Sequence, residues 1–541
     1  MRGMAVPNRS RRRATSAVLA ALAVAACGGG DLADPVASSV VDPASPNAKR
    51  EQAPVPAEGT PALPTAARGR EGRADERAGG ANDGSEALAR LEAAWSAARA
   101  RMVAELAVAE YGIDDAILVG PAGFRVDLDR CPDEWTETNG VDDHTVHLAM
   151  IAASSGDHAT FADLAIGMQL YFDYVNETGG VDGRTIEFSL HDDRYSPEVA
   201  LDVVAGLLGQ GDGADQPFVV TTVGTPTGLA VRRELNDACV PQPLVVSDHP
   251  AWGDPIDHPF TTGFQLVRST EAVLWGRWIK ENLPGIVPVK VGALVIDNEF
   301  GRIYEDSFRT WAEANPDVVS EFVAVTHDPT ARLVAAEMDQ IARAEPDVFL
   351  SMTAGEPCIS ALTEASRSGL TNSAVGLFTA SGCRQADAFL EAVAGVGHGF
   401  WIVAGAMKSL EDPAFAGETF VAFTNARLRA AGIASERHLV GVGFAQYGWA
   451  HVELLRVASA LPGGLTRSNV VLASRGIDLE HPMLLPGIRF ATDGVRDSFP
   501  VEGSVYSRYD ADSAAWYVQG GPVDVDGGSP NCVLVDLVCE Q

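Results

Sequence analysis

Apolar positions between residues 145 and 197 predict a strand, a helix and a second strand in that order. An apolar run over 146–153 is typical of a buried strand, and another apolar run follows over 185–190. Between them, apolar side chains recur at spacings of three and four residues, which is the period of one helix face. These residues are Leu164, Met168, Phe172 and Val175. A helix that returns the chain to a parallel strand makes a βαβ unit.

The polar loop after the first strand is the first candidate binding element. In open α/β sheets, ligands bind beyond the carboxyl ends of the strands. The loop over 154–158 follows the first strand directly and offers the hydroxyls of Ser154 and Ser155. We therefore expect these two residues to face a ligand.

The alternation of strand and helix continues along the chain and predicts an α/β fold with two parallel-sheet lobes. Further strands are predicted over 218–221, 244–247, 290–296, 348–352 and 374–378. We assign residues 144–266 with 438–500 to lobe 1, residues 267–437 to lobe 2, and residues 501–541 to a C-terminal segment. Chain crossings near residues 266 and 438 would serve as hinges between the lobes.

A glycine-rich turn carries a resemblance to a known family. The turn reads Asn-x-x-Gly-Gly-Val-x-Gly-Arg over 176–184, and the strand after it ends in Asp192-Asp193. With the strand, loop and helix before it, this block resembles the start of a leucine/isoleucine/valine-binding protein, a type I periplasmic binding protein that feeds an ABC transporter. The resemblance extends to about residue 510. It implies two Rossmann-like lobes joined by a multi-crossing hinge, a small solute between them, an ABC permease as partner and no cofactor.

The expected ligand-binding residues stand at strand ends in both lobes. An α-carboxylate needs hydroxyls and backbone N–H groups at helix N-termini, where the helix dipole favours an anion. By resemblance, the loops with Thr225 and Ser247 match the family's carboxylate-binding positions. The alternative is that such residues are only helix N-caps. The expected contacts are Ser154, Ser155, Thr225, Thr227, Ser247, Asp248, Phe300, Thr353, Glu356 and His398.

Lobe 2 departs from the family's pattern at two positions that set ligand identity. Its Asp-x-x-Phe-Gly motif over 297–301 resembles the family's Asp-x-x-Tyr-Gly, but the side chain of Phe300 cannot donate a hydrogen bond. His398 stands where the family often has the acidic partner of a ligand ammonium, and imidazole pairs poorly with an ammonium. Glu356 and Asp248 are alternative partners, and a ligand without an ammonium is a further alternative. A surface or packing role for His398 also stays open.

The N-terminus predicts an exported lipoprotein. Four arginines over 9–13 precede an apolar segment over 17–26, as in a signal peptide. That segment ends in Val-Ala-Ala-Cys, which resembles a bacterial lipobox and makes Cys27 the lipidated residue. An ordinary secretory peptide is the alternative. We expect a signal peptide over 1–27, a disordered tether over 28–84, and an N-terminal helix and irregular segment over 85–143. The protein would be lipid-anchored to the outer face of the cytoplasmic membrane, or periplasmic.

The cysteines predict structural disulfides. The chain has seven cysteines, and six remain once Cys27 is assigned to the lipid. An even number in an oxidising compartment favours disulfides, although six cysteines permit 15 pairings. Closeness in sequence favours Cys358–Cys383 and Cys532–Cys539, which leaves Cys131–Cys239.

Charge and missing motifs narrow the function. A net charge of −33 argues against nucleic acid or an anionic membrane surface as the main partner. The sequence has no nucleophile elbow, phosphate-binding loop or dinucleotide fingerprint, and His144-x-x-His147 has the wrong spacing for two metal ligands on one helix face. We therefore predict that the chain is not an enzyme and binds no metal. We expect it to be the extracytoplasmic substrate-binding protein of an ABC importer. Its solute would be an amino acid or a related carboxylate or amide. The alternatives are a ligand-sensing lipoprotein that reports to a membrane receptor, or an enzyme.

Overall fold

The computed structural model describes residues 80–109, 111–209, 216–385, 397–535 and 538–540, and the side chains of 85–109, 111–209, 216–383 and 397–532 within them. The predicted signal peptide, Cys27 and the tether up to residue 79 lie outside the described residues. Among the described residues, no helix combines the length and hydropathy needed to cross a bilayer.

The strands are short and occur along the whole described chain. They are β1 (Gly112–Asp114), β2 (Ile117–Val119), β3 (Arg125–Asp127), β4 (Thr145–Ile151), β5 (Thr185–His191), β6 (Val219–Thr222), β7 (Gln242–Val245), β8 (Thr261–Gly263), β9 (Val289–Ile296), β10 (Val319–His327), β11 (Val348–Met352), β12 (Gly376–Thr379), β13 (Trp401–Val403), β14 (Asp478–Leu479), β15 (Phe490–Ala491), β16 (Gly503–Asp510), β17 (Ala515–Asp524), β18 (Val533–Val535) and β19 (Val538–Glu540).

Helices alternate with these strands. They are α1 (Gly80–Val108), α2 (Ala162–Glu177), α3 (Pro197–Leu208), α4 (Thr225–Asp237), α5 (Arg268–Asn282), α6 (Glu299–Ala314), α7 (Ala335–Arg343), α8 (Glu356–Arg367), α9 (Leu370–Ser373), α10 (Thr419–Ala430), α11 (His438–Val442), α12 (Trp449–Ala460) and α13 (Arg467–Arg475). A π-helical turn over Gly443–Gly448 joins α11 to α12.

Lobe 1 is built on parallel strands in the order β5, β4, β6, followed by β7 and β8. A parallel bridge between Val223 and Val246 connects β6 to β7. Helix α2 buries its predicted apolar face against this sheet. Helix α2 also packs against the π turn. The two backbones can touch there because residue 443 is a glycine, and a Cβ on Gly443 would lie 2.1 Å from the Leu164 carbonyl oxygen. The predicted βαβ unit is therefore confirmed.

Lobe 2 is built on a seven-stranded sheet in the order β10, β9, β11, β12, β13, β16, β17. Neighbouring strands from β10 to β13 run parallel, whereas β16 and β17 are antiparallel to their neighbours. The predicted fold class, α/β with two parallel-sheet lobes, is confirmed.

The lobe boundaries differ from those predicted. Helix α10, which we assigned to lobe 2, inserts Phe420 and Val421 into the lobe 1 core. Strands β16 and β17, which we assigned to a separate C-terminal segment, extend the lobe 2 sheet. The chain therefore crosses between lobes near 264–267, 404–406 and 501–503, and the predicted crossing near 438 is wrong because residues on both sides of it pack in lobe 1. Helical periodicity marks an apolar face but does not identify the lobe against which it packs.

The N-terminal segment belongs to lobe 1. Helix α1 begins at Gly80, where we expected residue 85, and packs the Trp95 ring 5.5 Å from Trp449 and 5.4 Å from Phe420. Arg99 donates to the buried carboxylate of Glu453 at 2.6 Å. The segment is thus part of the lobe's core.

Two predicted disulfides are confirmed, Cys131–Cys239 and Cys358–Cys383. Cys532 is also disulfide-bonded. The Cys539 side chain lies outside the described part of the chain, so its pairing with Cys532 stays a prediction.

Candidate functional site

A pair of hydroxyls marks the carboxyl edge of the lobe 1 sheet. Thr225 begins α4 directly after β6, and Ser247 follows β7, so parallel strand ends bring the two residues together. Their hydroxyl oxygens lie 2.7 Å apart, and Ser247 Oγ also accepts from the His249 N–H at 3.2 Å. Only one of the two hydroxyl hydrogens is used between them. Whichever residue donates, one hydroxyl hydrogen stays available for a ligand.

The start of α4 adds backbone donors beside these hydroxyls. The first N–H groups of a helix have no partner within the helix, and the helix dipole is positive there. Pro226 has no N–H, so these donors in α4 are the N–H groups of Thr225 and Thr227. Gly224 precedes the helix at a φ of 96°, which glycine adopts readily. The Thr227 hydroxyl does not add to this group, because it is fully buried and donates to the Val223 carbonyl at 3.0 Å.

Two acidic and two basic side chains bridge the lobes next to the hydroxyl pair. Asp248 of lobe 1 accepts from Arg268 Nη2 of lobe 2 at 2.7 Å. His249 Nε2 of lobe 1 contacts the carboxylate of Glu299, the first residue of α6 in lobe 2. His249 Nδ1 accepts from the Ala251 N–H at 3.0 Å, so the imidazole hydrogen lies on Nε2, the atom that contacts Glu299.

Electrostatics keep this network charged. Burial alone would raise the pKa of Glu299, but the contact with His249 and the charge of Arg268 outweigh it and lower the pKa. Burial would lower the pKa of Arg268, but Asp248 and Glu299 raise it above its ordinary value. Glu299 and Arg268 are therefore both ionised at neutral pH.

Aromatic rings flank the network on both lobes. On lobe 1, Tyr195 covers Gly224 so closely that a Cβ there would lie 2.4 Å from the tyrosine ring. The His158 ring lies 4.1 Å from Tyr195. On lobe 2, the guanidinium of Arg268 lies 4.8 Å above the Phe300 ring. A ligand bound here would meet aromatic surface as well as polar groups.

The buried carboxylate of Glu271 supports the part of lobe 2 that faces the hydroxyl pair, which we call the lobe 2 wall: Phe300, Tyr304 and the loop at Ser381. Glu271 accepts from the Tyr304 hydroxyl at 2.7 Å, and from the backbone N–H and hydroxyl of Ser381 at 2.8 and 2.7 Å. The Tyr304 ring in turn lies 5.1 Å from Phe300 and stacks on Trp275. Burial raises the pKa of Glu271 to about 7, although these hydrogen bonds oppose the shift. Glu271 thereby positions the helix and the loop that carry the wall.

Several predicted residues have other partners. Ser155 Oγ and the Ser154 N–H both bind Asp192, at 2.6 and 2.9 Å. The buried Thr353 hydroxyl bonds His327 at 2.8 Å, and Glu356 forms a two-point ion pair with Arg332. These residues lie at carboxyl strand ends, but their side chains are already engaged within their own lobe.

The structure does not bring His398 to the site. His398 precedes β13, and β13 runs parallel to β12, so His398 lies at the amino edge of the sheet. There its Nδ1 accepts from the Ala511 N–H. The carboxyl edge, where Ser381 follows β12, is the opposite one.

Sequence reasoning missed Arg268, Glu299, Tyr195 and Glu271. Glu299 lies inside the motif over 297–301, so that motif could have indicated it. Arg268 is the first helical residue after a crossing, a position that hinge location alone could have indicated. Tyr195 and Glu271 carry no sequence signal, since their roles depend on Gly224 and Ser381 from distant parts of the chain.

A separate cavity of about 470 Å³ lies beside the 404–406 crossing and is lined by neither the hydroxyl pair nor the ion-pair network. Among the described residues, no cluster of three or more histidine, cysteine or acidic side chains is arranged to hold a metal ion.

Comparisons with known proteins agree with this fold. The family model described as periplasmic binding protein matches residues 145–498. A branched-chain amino acid ABC transporter protein from Thermus thermophilus, solved with bound valine, is 16% identical, with 72% of this chain and 98% of that chain covered and a TM-score of 0.53. A protein described as an ABC transporter permease from the Pseudomonas fluorescens group is 16% identical, with 72% and 94% covered and a TM-score of 0.56. A fatty acid ABC transporter substrate-binding protein from Thermomonospora curvata is 17% identical, with 73% and 95% covered and a TM-score of 0.50. No curated protein sequence matches the chain.

Proposed function

The chain belongs to the periplasmic binding protein family, and from that premise we propose that it is the extracytoplasmic substrate-binding protein of an ABC importer. Its solute is small and polar, an amino acid or a related carboxylate or amide, and binds between the two lobes. The protein carries out no reaction on the solute. Its partners are that solute and a permease in the cytoplasmic membrane.

The observation that carries this proposal is the position of the hydroxyl pair. Thr225 and Ser247 lie at adjoining strand ends of lobe 1, beside the N-terminus of α4 and next to the residues that contact lobe 2. A free hydroxyl hydrogen and helix N–H groups make this edge a binding position for a carboxylate or carbonyl oxygen.

Transport follows from closure of the lobes. The contact of His249 with Glu299 joins the two lobes away from the 264–267 crossing. Arg268 lies at that crossing, where its backbone N–H also donates to the Asp248 carbonyl at 3.1 Å, so we assign closure to the His249–Glu299 contact. A solute that touches both lobes favours the closed form by its differential affinity. The permease would then recognise the closed form.

The fold does not by itself select the solute, since similar structures are described for a valine-bound protein and a fatty acid transporter protein. A thermal-shift screen of amino acids, amides and small carboxylates identifies the solute, because a ligand that binds only the folded state raises the melting temperature. The Thr225→Ala/Ser247→Ala variant should then bind the best solute roughly 10- to 100-fold more weakly in calorimetry, since hydrogen bonds to a charged group are lost.

Thr227→Ala is the matched control. It removes a hydroxyl from the same helix turn, but that hydroxyl faces the Val223 carbonyl, so affinity should be unchanged while the melting temperature falls. Equal affinity of the double variant and the native chain would remove the hydroxyl pair from the site. A native chain that responds to no solute in the screen would contradict the proposed function.

Lipid anchoring through Cys27 belongs to the same proposal. Its support is the Val-Ala-Ala-Cys sequence that ends the apolar segment. Cys27→Ser should move the protein from the membrane fraction to the soluble fraction after export. Continued membrane association of Cys27→Ser would exclude this anchor.

A further inference from the structure

The charged groups around the hydroxyl pair differ in how fully the protein itself satisfies them. Three carboxylates have a partner: Asp248 has Arg268, Glu299 has His249, and Glu271 has Tyr304 and Ser381. A fourth, Asp193, accepts from the Tyr195 N–H at 2.8 Å and is fully buried, so its unpartnered Oδ2 is out of reach of a solute. An ammonium group entering the site would therefore find each of these carboxylates engaged or buried.

Arg268 is satisfied only in part. Its Nη2 donates to Asp248, its Nη1 lies 3.7 Å from Glu299, and its buried Nε has no hydrogen-bond partner among the described residues. A guanidinium offers five N–H donors in one plane. The Nε hydrogen is buried, so the donors that remain for an acceptor are those of Nη1 and the second hydrogen of Nη2. The side chain is mostly buried, with 13% of its surface exposed, and Phe300 and Asp248 hold it in place.

The polar groups of the site that have no partner within the protein are therefore hydrogen-bond donors. They are the free hydrogen of the Thr225–Ser247 pair, the N–H groups that begin α4, and the remaining donors of Arg268. An α-ammonium beside Arg268 would face a like charge, whereas a carboxylate there gains charge-assisted hydrogen bonds. The aromatic rings of Tyr195 and Phe300 offer surface for an apolar body.

We propose that Arg268 determines solute specificity, and that the solute is a carboxylate with an apolar or aromatic body and no α-ammonium group. The inference rests on the proposed function, since it identifies the solute of the same site. The carboxylate binds the donors of Arg268 and of the hydroxyl pair, and the absence of an ammonium suits a site whose carboxylates are engaged.

The test compares matched compounds that differ in one group. L-phenylalanine and 3-phenylpropanoate, and L-valine and 3-methylbutanoate, differ only in the ammonium, and 3-phenylpropanamide removes the negative charge. Calorimetry on the full chain should show at least one of the two deaminated acids binding more than 10-fold tighter than its amino acid and than the amide. Arg268→Met should weaken that binding roughly 10- to 100-fold, and Arg268→Lys should lose less.

Arg309→Met is the matched control in the same lobe. Arg309 also lies over a phenylalanine, 4.9 Å from the Phe322 ring, and also pairs with a glutamate, Glu305, but it stands outside the site. Its substitution should leave affinity unchanged, and native-like circular dichroism of both variants shows that they fold.

Two results separate the possible failures. An amino acid or amide that binds tighter than both deaminated acids, or an Arg268→Met variant with native affinity, overturns this inference and leaves the proposed function standing. A native chain that binds no compound of these series or of the wider solute screen overturns both.

Discussion

At the residue scale, the site depends on which polar atoms are already engaged. Thr225 and Thr227 are two residues apart on the same turn, yet one hydroxyl meets Ser247 and the other meets the Val223 carbonyl. The sequence predicts that hydroxyls stand at these strand ends. It does not predict which hydroxyl faces the cleft, because that depends on the helix start at Thr225 and on neighbours from another strand.

Glu271 gives a pH dependence that can be measured at this scale. Burial raises the pKa of Glu271 from 4.5 to about 7 in the folded chain. Between these values the folded chain holds a proton that the unfolded chain has lost, so the free energy of unfolding falls as pH rises. The stability that this proton contributes to the folded chain is fully present below about pH 4.5 and is lost above about pH 7.

The Glu271→Gln variant should remove that dependence. Glutamine stays neutral, so the variant should gain stability relative to the native chain between pH 4.5 and 7, by about 1.4 kcal/mol per pH unit at most. Chemical denaturation at several pH values measures the difference. Asp497 and Glu502 also have raised pKa values, but their contributions cancel in the comparison. A difference that does not change with pH would contradict the raised pKa of Glu271.

At the element scale, the N-terminus of α6 meets the loop after β7 across the lobe boundary. Glu299 begins α6, and its contact with His249 joins an element of lobe 2 to an element of lobe 1. His249 is fully buried and its imidazole hydrogen is directed by the Ala251 N–H, so the contact has a defined geometry. The contact thus holds these two elements together across the lobe boundary.

Glu299→Gln should weaken solute binding by loosening closure. The amide keeps a hydrogen-bond acceptor but loses the charge, so the affinity for the best solute should fall roughly 5- to 30-fold, mainly through faster dissociation. Surface plasmon resonance measures both rates. Glu305→Gln on the same helix removes an ion pair with Arg309 that does not cross the lobes, and should leave both rates unchanged. Equal effects of the two variants would contradict a role in closure.

The hydrophobic pattern of the sequence predicts some elements fully, but it does not predict the packing partners of others. The βαβ unit at residues 145–191 was predictable because its strands and helix have clear periods and glycine turns. The lobe of α10 and the sheet position of β16 were not, since both depend on packing partners far away in sequence. The resemblance predicts that His398 lies in the cleft, whereas strand direction puts it at the other edge of the sheet.

At the scale of the whole molecule, the chain forms two lobes, and we propose that they close on a solute. Three crossings connect the lobes. The ion-pair network of Asp248, His249, Arg268 and Glu299 also joins the two lobes and lies next to the hydroxyl pair. The order of strand and helix indicated this architecture from sequence alone. The bridging network did not appear in the sequence because its four residues come from three separate segments.

The distance between the lobes is the most direct test. Spin labels at two exposed positions, Asp157→Cys on lobe 1 and Asp297→Cys on lobe 2, report this distance by pulsed electron paramagnetic resonance in the Cys27→Ser chain. Saturation with the solute identified by thermal shift should narrow the distance distribution and move its population to the shorter distance, and the Thr225→Ala/Ser247→Ala variant should need a higher solute concentration for the same change. A distribution that is the same with and without saturating solute would contradict closure of the two lobes around a ligand.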